Sequence, residues 1–196
     1  MQIQVNLELT GIALAVVAAL ALWFARRQLL EMQASTDKQA ESARQLELQT
    51  RANILLTLDQ RWEGAPLSNI RRELQVLIAE AEAAIPGSPS PDSLHLLRAP
   101  VLTTKLEAMR KADFPKYFRL YKICGFFETV GLVARTGYVP IGDVLNLLGG
   151  SVLEAGRAFR PHINSIHHQP GADPKMFEHF LWLLSELEKR LAIDLG

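Results

Sequence analysis

The sequence predicts an all-α protein, in which an N-terminal single transmembrane helix continues into a helical stalk and a compact helical bundle. Three observations predict it. Residues 9–25 form an uncharged, apolar run, and no Gly or Pro falls between Gly11 and Gly64 to break a helix begun there. Further on, apolar residues recur at three- and four-residue spacing, and no alternating strand pattern competes with them. These segments divide the chain into an anchor over 1–27, a juxtamembrane stalk over 28–47 and a helical domain over 48–196.

The anchor comes first. Leu9 to Ala25 is 17 residues long, and roughly 17 to 25 apolar residues cross a bilayer core. Leu9, Ile12, Val16, Leu20 and Phe24 each favour insertion by about 0.3–0.6 kcal/mol at mid-bilayer, and Trp23 suits the headgroup boundary near the end of the run. The run is apolar on every face, unlike a helix packed on one side of a small core. Ala19-Leu20-Ala21 resembles a signal-peptide cleavage site, but the first ten residues hold Glu8 and no Lys or Arg, so a retained anchor is the expectation. Arg26, Arg27, Lys38 and Arg44 all follow the run. The positive-inside rule then places the N-terminus outside and the C-terminal domain in the cytoplasm, with the chain crossing a bacterial inner membrane once.

The stalk has a polar middle, ASTDKQAESARQ. A heptad frame through Leu29, Met32, Ala43 and Leu46 also places Thr36, Gln39 and Thr50 on its seam, so a solvated stalk is expected over a committed coiled coil. From Leu48 the pattern changes, with Leu48, Leu55, Leu58 and Trp62 on one face. There the helix is expected to join a core.

The domain reads as helices separated by punctuation. Leu67, Ile70, Leu74, Leu77, Ile78, Ala81 and Ile85 make one amphipathic helix that stops at Pro86, and PGSPSPD follows as a loop. Asp92 or Ser93 caps a short segment that Pro100 is expected to interrupt before the helix resumes to about Asp113. Pro115 suits the first turn of the next and most apolar helix, which ends at Gly137 and should be central. Pro140 opens another helix, with interruptions expected at Gly149-Gly150 and a kink or break at Pro161. The last helix carries an apolar stripe of Phe177, Phe180, Leu181, Leu184, Leu187 and Leu191.

Composition excludes several function classes. Lys plus Arg and Asp plus Glu both number 21, so no basic field is available for nucleic acid. Cys124 is the one cysteine, which rules out a disulfide scaffold within the chain. No GxGxxG, P-loop, GxSxG or paired-cysteine motif occurs, and LGGS at 148–151 lacks the lysine and spacing of a phosphate loop.

The residue with most chemical promise is Glu128, a carboxylate inside the apolar CGFFETVGLV stretch. Left alone in a core, its pKa would rise toward that of a general acid or base. The favoured expectation is a structural ion pair with Arg71 or Arg72, with Arg157 and Arg160 as further partners, because a forked guanidinium holds a half-buried carboxylate well. Gly125 and Gly131 beside it are expected to permit close helix contact. His162, His167, His168 and His179 lie close in sequence, but their spacing does not match paired helical metal ligands, and a solvated cluster is expected. No catalytic residue, cofactor or metal site is assigned.

With the anchor, RANILLTLDQRW, Arg71-Arg72, FFETVGLVARTG and MFEHFLWLL in view, the chain resembles the bacterial domain-of-unknown-function family forty-seven-sixty over about residues 9–190. The resemblance implies a small helical protein with one N-terminal membrane helix, and no activity, cofactor or catalytic residue. The expected function is that of an interaction or accessory module facing a protein partner or a second copy of itself from the bilayer. The alternative is a membrane-tethered ligand sensor or enzyme using Glu128, an arginine and His162 or His179 in a cleft between helices.

Overall fold

The computed structural model describes the backbone of residues 2–87 and 91–194 and the side chains of Val17, 20–87 and 93–191. Among the described residues there are six α-helices and no strand: α1 Gln2–Glu63, α2 Ala65–Ala83, α3 Pro91–Ala112, α4 Phe114–Arg135, α5 Ile141–His167 and α6 Glu178–Asp194. The chain is all-α. It divides into two compact units, Met1–Thr50 and Arg51–Gly196.

The first unit belongs to α1 alone, which runs unbroken to Glu63 as the absence of Gly and Pro predicts. Every described residue from 20 to 50 is exposed, including the seam positions Leu29, Met32 and Leu46. Its polar contacts stay within the helix: Arg27 donates to Glu31 at 3.1 Å and the Thr36 hydroxyl to the Met32 carbonyl at 2.9 Å. Among the described residues no helix is long and apolar enough to cross a membrane. The expected transmembrane run is therefore not found there, because the side chains of Leu9, Ile12 and Val16 lie outside the described residues and Leu20, Trp23 and Phe24 alone are too short a stretch.

The second unit holds the core, which starts later than Leu48. Leu48 is exposed, Ile54 and Leu55 are half-buried, and Leu58 and Trp62 are the first buried side chains of α1. Gly64 ends that helix and its carbonyl accepts the first bonds of α2, from Leu67 and Ser68. The α2 face of Leu67, Ile70, Leu74, Leu77, Ile78 and Ala81 is buried as its spacing predicts.

Helix α4 is central, packing against α2, α3, α5 and α6. Leu120, Ile123, Cys124, Phe126, Phe127 and Val130 are all buried, each apolar side chain contributing about 1.5–3 kcal/mol. Asp113 caps the helix by accepting the Lys116 N–H at 3.0 Å, Pro115 sits in its first turn, and Gly137 follows its end at a φ of 80° that disfavours a side chain. Phe126 and Phe127 flank Trp62 at ring separations of 5.2 and 5.0 Å, and Phe127 stacks on Phe180 at 5.4 Å. These rings join α1, α4 and α6.

Three expected interruptions do not occur. Helix α3 continues through Pro100, and α5 continues through both Gly149-Gly150 and Pro161. Each proline removes the N–H that would serve the carbonyl four residues earlier, at Leu96 and Arg157. Both of those residues are exposed, where water can serve the carbonyl. Burial of Val144, Leu148, Val152, Ala155 and Phe159 outweighs the helix penalty of about 1 kcal/mol per glycine.

Candidate functional site

Glu128 projects from α4 toward the beginning of α6. Phe177, at a φ of 61°, turns the chain into α6, and its carbonyl accepts the Leu181 N–H at 3.0 Å. A helix start leaves backbone N–H groups without partners. The Phe180 N–H is one of them, and it donates to Glu128 Oε2 at 2.9 Å. The half-buried carboxylate thus caps a neighbouring helix, where negative charge also complements the helix dipole.

The expected ion pair with Arg71 or Arg72 is not formed. Arg71 donates instead to both carboxylate oxygens of Glu63, each at 3.0 Å, with its guanidinium 4.5 Å from the centre of the Trp62 ring. That contact holds the Glu63 carboxyl below its ordinary pKa, the hydrogen bond from Arg71 being the main cause. Arg160 pairs with Glu188 at 2.8 Å. Among the described residues Glu128 has no salt-bridge partner, since the α6 backbone already supplies the donor that an arginine would have given.

Of the two glycines beside Glu128, one does what was expected. A Cβ on Gly131 would lie 2.3 Å from the His179 carbonyl oxygen, so only glycine lets α4 approach α6 there. Gly125 is exposed, with nothing within 4 Å of the same position.

Arg71 and Arg72 do share a cleft of about 400 Å³ with Trp62, Ser68, Gln75 and Glu154, floored by Ile123 and Ala155. It offers hydrogen-bond donors and acceptors of both charges. Glu128 is not part of it, and the Ser68 hydroxyl donates to the Ala65 carbonyl at 3.2 Å.

The histidines do not form one solvated cluster. His167 contacts the Met176 carbonyl at 2.9 Å, His168 the Asn164 carbonyl at 2.6 Å, and His179 lies 3.4 Å from Arg135. His162 is fully buried, its Nε2 3.2 Å from the Tyr117 hydroxyl, with the Tyr121 ring edge-on to it. Burial lowers its pKa, Glu107 opposing and Arg110 adding to the effect, while burial raises those of Tyr117, Tyr121 and Cys124. Among the described residues His162 Nδ1 and the Tyr121 hydroxyl have no hydrogen-bond partner. Among the described residues no group of His, Cys, Asp and Glu could hold a metal ion.

No family model, no curated protein and no solved structure matches the chain.

The buried histidine has a signal in the sequence. Leu148, Val152, Ala155, Phe159, His162 and Ile166 recur at four, three, four, three and four residues, which puts His162 on the buried stripe of α5. Glu128's partner has none, because a backbone N–H fifty-two positions away leaves no mark on residue type.

Proposed function

We propose that the chain is a single-pass membrane protein whose helical domain acts as a protein-interaction or accessory module. The observation that carries this reading is the exposure of apolar side chains along α1. Leu20, Leu22, Trp23 and Phe24 are each more than half exposed on successive faces of the helix. Hydrocarbon is the solvent that suits such a helix. Arg26 and Arg27 follow at once, and the Arg27 guanidinium lies 5.7 Å from the centre of the Trp23 ring, a pairing suited to a headgroup boundary. In this reading residues 1–27 are the anchor, the N-terminus is outside, and the C-terminal domain is cytoplasmic at an inner membrane. The domain presents its surface to a protein partner or to a second copy.

The sensor or enzyme alternative draws less support. Glu128, which it needs as acid, base or ligand contact, is engaged at the α6 N-terminus and stands apart from the arginine-lined cleft.

Two measurements test the proposal. The full chain should remain in the membrane pellet after alkaline extraction, and a reporter fused after Gly196 should report the cytoplasm. Release by alkali, or a reporter active on the outer side, would overturn the anchor or its orientation. Native mass spectrometry after gentle extraction should show a second protein or multiples of the 21.8 kDa chain. A lone protomer carrying a small molecule would favour the sensor reading instead.

A further inference from the structure

The corner between α3 and α4 combines two features that the bundle does not need. Phe114 and Phe118 are 58% and 55% exposed, and their rings lie 6.1 Å apart one turn from each other on α4. Their neighbour Tyr117 turns inward instead, so the exposed pair contributes little to the core. Around them the charge is one-sided. Residues 110–122 hold Arg110, Lys111, Lys116, Arg119 and Lys122 against the single acid Asp113, in a chain whose net charge is zero.

Most of the other charged groups are engaged. Asp113 caps α4, Arg110 donates to Gln169, and Arg119 lies 3.8 Å from Glu73. Lys111, Lys116 and Lys122 are exposed and have no acidic partner among the described residues. Phe114, Phe118 and Lys122 share one stripe of α4; Lys116 stands on another face of the same first turn as Phe114, and Lys111 lies in the last turn of α3, three residues before Phe114.

We propose that this corner is an interfacial lipid-binding surface, in which Phe114 and Phe118 enter the headgroup boundary of an anionic bilayer and Lys111, Lys116 and Lys122 face its phosphates. Charge complementarity selects that occupant. Lysines are point charges on flexible stems and carry no forked geometry for one carboxylate, so they suit a diffuse anionic surface better than a defined acidic peptide. Exposed aromatics bordered by lysine are the composition of elements that lie in a membrane interface. The surface does not depend on the N-terminal anchor, since each feature belongs to the second compact unit.

The test places an environment-sensitive bimane at residue 118 of the full chain by Phe118→Cys, with Cys124 buried and unreactive to the label. Titrated with vesicles, the emission should shift to the blue with phosphatidylglycerol present and stay unshifted with phosphatidylcholine alone. Lys111→Gln, Lys116→Gln and Lys122→Gln together should weaken the phosphatidylglycerol response about a hundredfold, at roughly fivefold per lysine, and added salt should weaken it further. Equal shifts with both lipids, or a response indifferent to the three lysines, would overturn the proposal. So would a label already blue-shifted before lipid is added in particles of doubled mass, which would assign the surface to a second copy. Failure of the anchor is read separately: without it, binding through the corner would be reversed by salt, whereas an inserted helix survives alkali.

Discussion

Glu128 Oε2 accepts the Phe180 N–H at 2.9 Å, so a side chain of α4 completes the first turn of α6. The contact explains a carboxylate among buried neighbours without any catalytic role. Glu128→Ala should destabilise the fold by about 1–2 kcal/mol, the cost of removing a cap. Glu128→Gln keeps an acceptor and loses the charge, and should cost about 0.5 kcal/mol. Urea unfolding of the two variants beside the parent checks the order. A Gln variant less stable than the Ala variant would exclude the capping role.

The same helix pair gives a second prediction. Gly131→Ala drives a methyl group into the α6 backbone at His179 and should cost about 3 kcal/mol, because a backbone cannot rotate out of the way. Gly125→Ala meets nothing within 4 Å and should stabilise α4 by about 0.5–1 kcal/mol through helix propensity. Thermal unfolding midpoints should therefore move in opposite directions.

What could be read from the sequence followed from periodicity and punctuation. The stripe of α2, the start of α4 near Pro115, its end at Gly137 and the central place of its apolar run are local patterns, and local patterns set local structure. The breaks expected at Pro100 and allowed at Pro161 do not occur, because a proline breaks a helix only where nothing else serves the freed carbonyl. Glu128 was legible as an unusual carboxylate, but its partner was not. The choice between the Arg71 side chain and the Phe180 N–H depends on how α2 and α6 dock on α4, a tertiary fact. Arg71 was drawn away by Glu63 and Trp62, neighbours across the α1–α2 turn.

His162 gives a prediction in pH. Its folded-state pKa lies below the ordinary value of 6.5, mainly through burial, so between those two values the unfolded chain binds more protons than the folded one. Stability is then complete above about 6.5 and falls as the pH drops through that window. The groups around it are Tyr117, Tyr121, Glu107 and Arg110, of which only Glu107 favours the charged imidazole. His162→Phe should lower stability at neutral pH, because the Tyr117 hydroxyl loses its partner, and should flatten the slope below 6.5. Unfolding midpoints across that range for parent and variant decide it. An unchanged slope would place the acid-sensitive group elsewhere.

The entry of α1 into the core can be located by charge. Leu48 is exposed and Leu58 is buried, although both lie on the apolar face that the sequence suggests joins the domain. Leu48→Lys should change stability by no more than about 0.5 kcal/mol, as surface substitutions do. Leu58→Lys must bury an ammonium beside the aromatic group around Trp62 or expel α1 from the bundle, and should cost more than about 3 kcal/mol. Tryptophan fluorescence on unfolding follows the event, since Trp62 stacks on Phe126 one turn further along α1. The contrast also bears on assembly. With Leu29, Met32 and Leu46 exposed on the same helix, a Leu48→Lys variant of parental stability and smaller native mass would place a second copy or a partner along this part of α1. Unchanged mass would direct the search to the surface of residues 51–196.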